Sequence, residues 1–290
     1  MEANQENVKI ESSGMSLFTK NKNYRNIFMN SAASSLITFL ISFFIVYIIY
    51  QVVTLIMAKY LGFDTIWRYD KINFPLDSGS PLWRRRYIIL LFAIGPLISF
   101  IIGYLFYLIF VHRNREKSFL SMFSYWATVH SFALFFCAFV SGSITNDGFG
   151  YVISWLYIGS VMRTIYSVLA AIAMIAIGIK LSRKFFYIHD TDILEGVNSR
   201  NTFAIFTVFI PWALGFFILS LIKMPGITLY EMLIYIFSVF LIAPSFSSFT
   251  NNSAQSLISM KNVKFPFIPL IILIIIILLY RVGLNSGLSI

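Results

Sequence analysis

The chain has 290 residues, of which 58% are hydrophobic and only 12% charged. A soluble domain carries about 25% charged residues, so this composition and a mean hydropathy of +0.80 exclude a water-soluble globule. The net charge of +10 does not indicate nucleic acid, because basic residues in the loops of a membrane protein set its orientation and meet anionic headgroups.

The apolar runs are continuous and do not alternate, which excludes a transmembrane β-barrel. Each is close to the roughly 20 residues a helix needs to cross a bilayer. The fold class expected is all-α: a polytopic helical membrane protein of about seven transmembrane helices, within a range of six to eight.

In chain order, residues 1–31 read as a polar, partly acidic tail with a short interfacial helix near Tyr24 to Met29. No early apolar core is present, so a cleaved signal peptide is not expected and the first span is expected to act as the insertion signal. That span covers about 33–61 and is long enough to tilt. Residues 62–86 form the longest polar insert, with Thr65-Ile66-Trp67-Arg68-Tyr69 alternating like a short strand and Asp77-Ser78-Gly79-Ser80-Pro81 suiting a turn. The triplet Arg84-Arg85-Arg86 at its end reads as an interface anchor.

The second span is about 87–111, closed by the polar segment from His112 to Lys117, and the third about 119–140. A Gly- and Ser-rich break is expected at 141–150. The next apolar region, 151–181, is interrupted by Arg163; it reads either as one long tilted helix or as a half-helix followed by a span from Thr164. Residues 182–201 are polar, and Asp190 or Thr191 would cap a short helix there. Further spans follow at about 202–221, 229–243 and 267–280, with Pro211 and Pro244 expected to kink or end their helices. This divides the chain into a tail (1–31), a membrane core (32–181), a polar connector (182–201) and C-terminal membrane helices (202–290). The excess of Lys and Arg favours an inside N-terminus, in a cytoplasmic (inner) membrane, although the basic insert at 62–86 would then lie outside. No internal repeat of the inverted transporter kind is evident.

Three short motifs occur in order. The first is Tyr50-Gln51-Val52-Val53-Thr54-Leu55-Ile56-Met57-Ala58-Lys59-Tyr60-Leu61-Gly62; the second is Ala93-Ile94-Gly95-Pro96-Leu97-Ile98-Ser99; the third is Ile144-Thr145-Asn146-Asp147-Gly148. Together they resemble the site-2 protease family of intramembrane zinc metalloproteases. That family carries H-E-x-G-H-A-x-x-A-R-x-x-G on one helix, then A-G-P-x-x-N, then L-D-G with the Asp as third zinc ligand, and has a short β-hairpin after the catalytic helix. Ala58, Lys59 and Gly62 match the first motif, Ser99 stands at the Asn position, and Asp147 stands at the ligand position. The resemblance covers about residues 33–160. It implies that Gln51, Thr54 and Asp147 converge beside the helix that Gly95-Pro96 open.

The departures fall on the chemistry. Two imidazoles at i and i+4 share a helix face and hold the metal, and the Glu beside the first is the general base. Tyr50 and Thr54 stand where the resemblance requires His, and neither replaces a neutral imidazole. Gln51 stands in for the Glu, and an amide takes no proton from water near neutral pH. The resemblance therefore implies a degenerate member with no intact catalytic residue, no zinc and no other cofactor. The vestigial site residues would be Tyr50, Gln51, Thr54, Gly95, Pro96, Ser99, Asp147 and Gly148. A plainer reading makes Gln51 and Thr54 polar side chains that bond across helices or back to a carbonyl.

Three histidines and one cysteine offer little else. His112 and His189 lie in polar segments. His130 and Cys137 share a helix face, and with Asp147 would make a three-ligand set; the alternative is a hydrogen-bonded core histidine beside a packing cysteine. A lone cysteine allows no intrachain disulfide. Arg163, the intramembrane charge, either snorkels to the interface or pairs with Asp147 or Glu231.

Two functions follow. One is an inactive protease-like scaffold that binds a membrane-protein or peptide partner within the lipid bilayer. The other is a small-solute transporter or permease subunit, for which few intramembrane charges are available to line a path. An active enzyme with an unfamiliar site has the least support.

Overall fold

The structure, a computed structural model, describes residues 22–77, 79–112, 119–189, 202–246 and 265–290. Six helices among them are long and apolar enough to cross a membrane: Phe28–Tyr60, Arg85–Phe110, Phe119–Thr145, Ser160–Phe185, Thr202–Lys223 and Leu229–Phe246. A shorter apolar helix, Phe267–Gly283, completes the bundle. Its 17 residues rise about 25 Å, close to the hydrocarbon thickness. The chain is an all-α, multi-pass membrane protein.

Helix α1 (Lys22–Tyr60) is a single element of 39 residues. The short interfacial helix expected near Tyr24 is its first turns, because nothing between residues 24 and 33 breaks it. α1 is the hub of the bundle. Phe39, Phe44 and Val46 are wholly buried, and so are the polar Ser35, Thr38 and Ser42. Helix α2 (Arg85–His112) and helix α3 (Phe119–Phe132) pack on it, with α3 running through a π-helical turn, Ala133–Cys137, into α4 (Ala138–Thr145).

The polar run at 141–145 does not break this span. Ser143 and Thr145 bond back to the carbonyls of Phe139 and Ser141, each at 2.9 Å, so their hydroxyls are satisfied inside the helix. The break comes at Asn146, which takes the left-handed conformation (φ 58°) and caps α4. A half-helix, α5 (Phe149–Trp155), follows, and α6 (Ser160–His189) then starts afresh. Of the two forms open for 151–181, the half-helix followed by a span is the one present, but the break lies at 156–159 and the span starts at Ser160, so that Arg163 stands inside its first turn. The connector's candidate cap, Asp190 or Thr191, and the segment 113–118 lie outside the described residues, as do the side chains of His112 and His189.

Both prolines mark changes of helix type. Pro211 lies in the first turn of α7 (Ile210–Lys223), just after a π-helical turn, Ile205–Phe209. Pro244 lies in the 3₁₀ turn Ala243–Phe246, which follows α8 (Leu229–Phe237) and α9 (Val239–Ile242). Proline has no N–H, so Pro211 cannot bond the carbonyl of Thr207, four residues back. Ser35 of α1 donates to that carbonyl instead, at 2.5 Å, while the buried Trp126 indole donates to Ser35 Oγ at 2.9 Å. A backbone defect in one helix is thereby repaired by a serine of another.

The insert after α1 forms a hairpin, β1 (Ile66–Trp67) with β2 (Ile72–Asn73). The final strand, β3 (Leu288–Ser289), returns from α10 (Phe267–Gly283) and pairs antiparallel with β1, giving the order β2-β1-β3. Tyr280 donates to the carbonyl of Tyr69 at 2.6 Å, and the Arg281 guanidinium lies 3.6 Å from the centre of the Tyr69 ring. Gln51 accepts from the Trp67 indole at 2.8 Å. The hairpin is therefore anchored to both α1 and α10.

The Ser35→Ala variant should lose about 1–3 kcal/mol, since it leaves Thr207 O and Trp126 Nε1 buried without partners. Adding Pro211→Ala restores the intrahelical N–H and should recover part of that loss, read as the thermal unfolding midpoint in detergent. A double variant no more stable than the single one would show that the proline is not the reason for the serine.

Candidate functional site

At the end of the bundle that carries the hairpin, a cavity of about 210 Å³ opens between α1, β2, α2, α4, the turn before α8, and α8 itself. Tyr50, Gln51 and Thr54 line it from α1, and Asp147 and Gly148 from the break after α4. Three of the four parts of the expected constellation thus meet, although Asp147 lies far along the chain from Gln51.

Gly95 completes the contact from α2. A Cβ there would stand 2.6 Å from the Tyr50 ring and 2.9 Å from Thr54 Oγ1, so the helices approach this closely only because the side chain is absent. Gly95 and Pro96 do not open α2, however. The helix begins at Arg85 and Pro96 lies inside it, where the membrane bundle tolerates it. Ser99 is on α2, one turn past Gly95; it is buried without a hydrogen-bond partner and does not line the cavity.

The polar groups of the first motif are in use. Thr54 Oγ1 bonds back to the carbonyl of Tyr50 at 2.9 Å, and Gln51 holds the hairpin through Trp67. These are the bonds of the plainer reading, made at positions that nonetheless border the cavity. Asp147 Oδ1 accepts from the Gly148 amide at 2.7 Å. Gly148 has φ 54° and ψ −116°, a conformation that favours glycine, and a Cβ would drive into the Tyr230 ring. Tyr230 also accepts from the Phe149 amide at 3.3 Å, so α8 fixes the loop that carries Asp147.

The C-terminal helices contribute groups that the motif frame does not contain. Lys223, at the end of α7 and 2% exposed, reaches Glu231 Oε1 at 2.5 Å and the Tyr47 hydroxyl at 2.7 Å. Its ammonium also lies 3.9 Å from the centre of the Tyr47 ring. Glu231 sits in the first turn of α8, where Thr228 caps the helix. Tyr235 lines the cavity one turn further on. The sequence did hold a signal for this pair: T-L-Y-E at 228–231 has capping-box spacing, and Lys223 ends an apolar run eight residues earlier. Read alone, a lysine at a span end passes for an interface anchor.

Arg163 has neither of its two expected carboxylate partners. Its guanidinium donates to the Ile158 carbonyl at 2.8 Å, to Asn146 Oδ1 at 2.7 Å and to Ser154 Oγ at 3.4 Å. It ties the αL cap of α4 to the start of α6, and Glu231 is committed to Lys223. His130 and Cys137 do not form a ligand set with Asp147. His130 Nε2 bonds the Phe39 carbonyl at 3.1 Å amid aromatic rings, and Cys137 Sγ contacts Met174 Sδ at 3.3 Å. Among the described residues, no three His, Cys, Asp or Glu side chains gather as metal ligands would.

Comparison of the chain with protein-family models, with curated proteins and with solved structures returned no match.

Removing one member of a buried ion pair strands the other, at a cost of about 3–5 kcal/mol. Lys223→Met and Glu231→Gln should each lower thermal stability in detergent by that order, while the double variant should lose less than either. Equal losses that simply add would mean the two groups do not depend on each other.

Proposed function

We propose that this multi-pass membrane protein is a catalytically silent, site-2-protease-like scaffold that holds a membrane segment or peptide of a partner protein at its cavity. The observation that carries the reading is the meeting of three separate motifs. Tyr50, Gln51 and Thr54, Gly95, and Asp147 with Gly148 come from distant parts of the sequence and border one cavity or pack at its wall. The hairpin lies beside them, as the resemblance implies.

The chemistry of the side chains argues for holding over cutting. A phenol and an alcohol stand at the two imidazole positions, and an amide at the general-base position. The Thr54 hydroxyl and the Gln51 carbonyl are already engaged in structural bonds. One carboxylate, Asp147, remains from the ligand set. What persists is a recess of moderate size, walled by aromatic, aliphatic and polar side chains together, at the end of a bundle in lipid.

A second reading, small-solute transport, rests on the buried Lys223–Glu231 pair, since ionisable groups within a membrane bundle often mark a solute or proton path. Against it stands the packing towards the other end. Phe39 is buried there edge-on against both Trp126 and His130, themselves buried.

Elemental analysis of the purified protein is expected to show no stoichiometric zinc. The triple variant Tyr50→His/Gln51→Glu/Thr54→His is expected to gain about one zinc per chain, and Asp147→Asn in that background to weaken it by about tenfold or more. Zinc in the native chain would overturn the silent-scaffold reading. Failure of the triple variant to bind zinc would overturn the equation of this frame with a metal site.

A further inference from the structure

We infer that the cavity receives an organic ammonium group. The inference rests on the proposed function and names the chemistry of what would be held. Three carboxylates, Asp70, Asp147 and Glu231, border the cavity, against two ammonium groups, Lys71 and Lys223. Lys71 is exposed and free to direct its charge to solvent, whereas Lys223 is buried and paired with Glu231. The interior balance is therefore negative, in surroundings of low dielectric where such an imbalance acts strongly on a visiting cation.

The walls select the kind of cation. Tyr50, Tyr230 and Tyr235 line the same space as Asp147 and Glu231, and ring faces attract organic ammonium groups through their quadrupoles. The protein's own Lys223 displays the mode of recognition: an ammonium over the Tyr47 ring, bonded to a phenol and a carboxylate. The carboxylates are not gathered as a metal ion requires, so a larger cation with apolar surface suits the site better. Two polar atoms also lack partners. The Tyr235 hydroxyl is buried on a residue 8% exposed, and Glu231 Oε2 is buried beside it on α8, both without a hydrogen bond. Leaving such groups unmet costs about 1–3 kcal/mol each, and the N–H donors of an ammonium would satisfy the carboxylate oxygen. The volume of about 210 Å³ exceeds the roughly 150 Å³ that accommodates benzene, which leaves room for a phenyl ring with a short ammonium arm. The ammonium could belong to a free amine or to the lysine or N-terminus of a peptide; the recognition chemistry is the same.

The test uses the full-length chain in phosphatidylcholine nanodiscs, titrated calorimetrically with phenethylammonium and with 2-phenylethanol as its neutral match. Phenethylammonium is expected to bind saturably, about tenfold or more tighter than the alcohol. Asp147→Asn keeps the Oδ1 acceptor for Gly148 and should weaken the amine by about tenfold while leaving the alcohol unchanged. Equal affinity for the two probes in the native chain, absence of saturable amine binding, or an unaffected Asp147→Asn variant would overturn the inference, and the first two need no variant to fold. Competition then separates the sources. Displacement by an apolar peptide with one lysine, and not by its Nε-acetylated form, supports a peptide ammonium and both readings. Displacement by neither peptide, with the probe preference intact, supports a free amine and overturns the peptide-holding function. Equal displacement by both forms, with the probe preference intact, overturns a peptide ammonium as the source, supports a free amine and leaves the peptide-holding function standing.

Discussion

In a helix enclosed by protein within a bilayer, a polar group that finds no partner in the protein is costly, because no water stands ready to replace one. Helix α1 lives under that constraint. Its buried Thr38 and Ser42 bond back to its own carbonyls. Ser35 reaches out to the carbonyl that Pro211 leaves open, and Gln51 to the hairpin. Each outward bond fixes the position of a neighbouring element. Ser35 sets where α7 stands against α1, with Trp126 of α3 closing the same chain of bonds; Gln51 sets where the hairpin lies. The apolar residues supply the contact area, and these few polar ones supply the register.

The same constraint shapes the other end of the bundle. Lys223 would be costly in this environment alone. It is tolerable because Glu231, the Tyr47 hydroxyl and the Tyr47 ring all converge on it. That convergence requires α7 and α8 to meet α1 at one height, and so the pair helps to form the wall of the cavity.

The sequence made the membrane class legible because apolar length and low charge leave no other fold open. It made the first strand of the hairpin legible through the alternation at 65–69, although the chain reverses at 68–71 and the turn residues at 77–81 lie beyond β2; the half-helix is one of two forms that the sequence leaves open. Ser143 and Thr145 were misleading: as a string of small polar residues they resemble a loop, but in lipid a hydroxyl that bonds back to its own helix is at home. Arg163 was read through its charge, when the deciding feature was the set of open carbonyl and amide oxygens around Asn146 and Ile158. The meeting of Gln51, Thr54 and Asp147 could be anticipated from motif order. The presence of Lys223, Tyr230 and Tyr235 beside them could not, since it depends on how the later helices pack against α1, and a single sequence does not state that.

The pairing of β3 with β1 has a consequence for synthesis. Ile66 and Ser289 are partners in the sheet, so a strand made early must wait for one made more than two hundred residues later. Helices can enter the bilayer one at a time as they emerge, but contacts between distant segments close slowly and only once the intervening chain exists. Until β3 has been made, β1 keeps one edge unpaired. Such an edge offers unmet backbone groups to any other strand, and a chain cut short of β3 would carry it permanently.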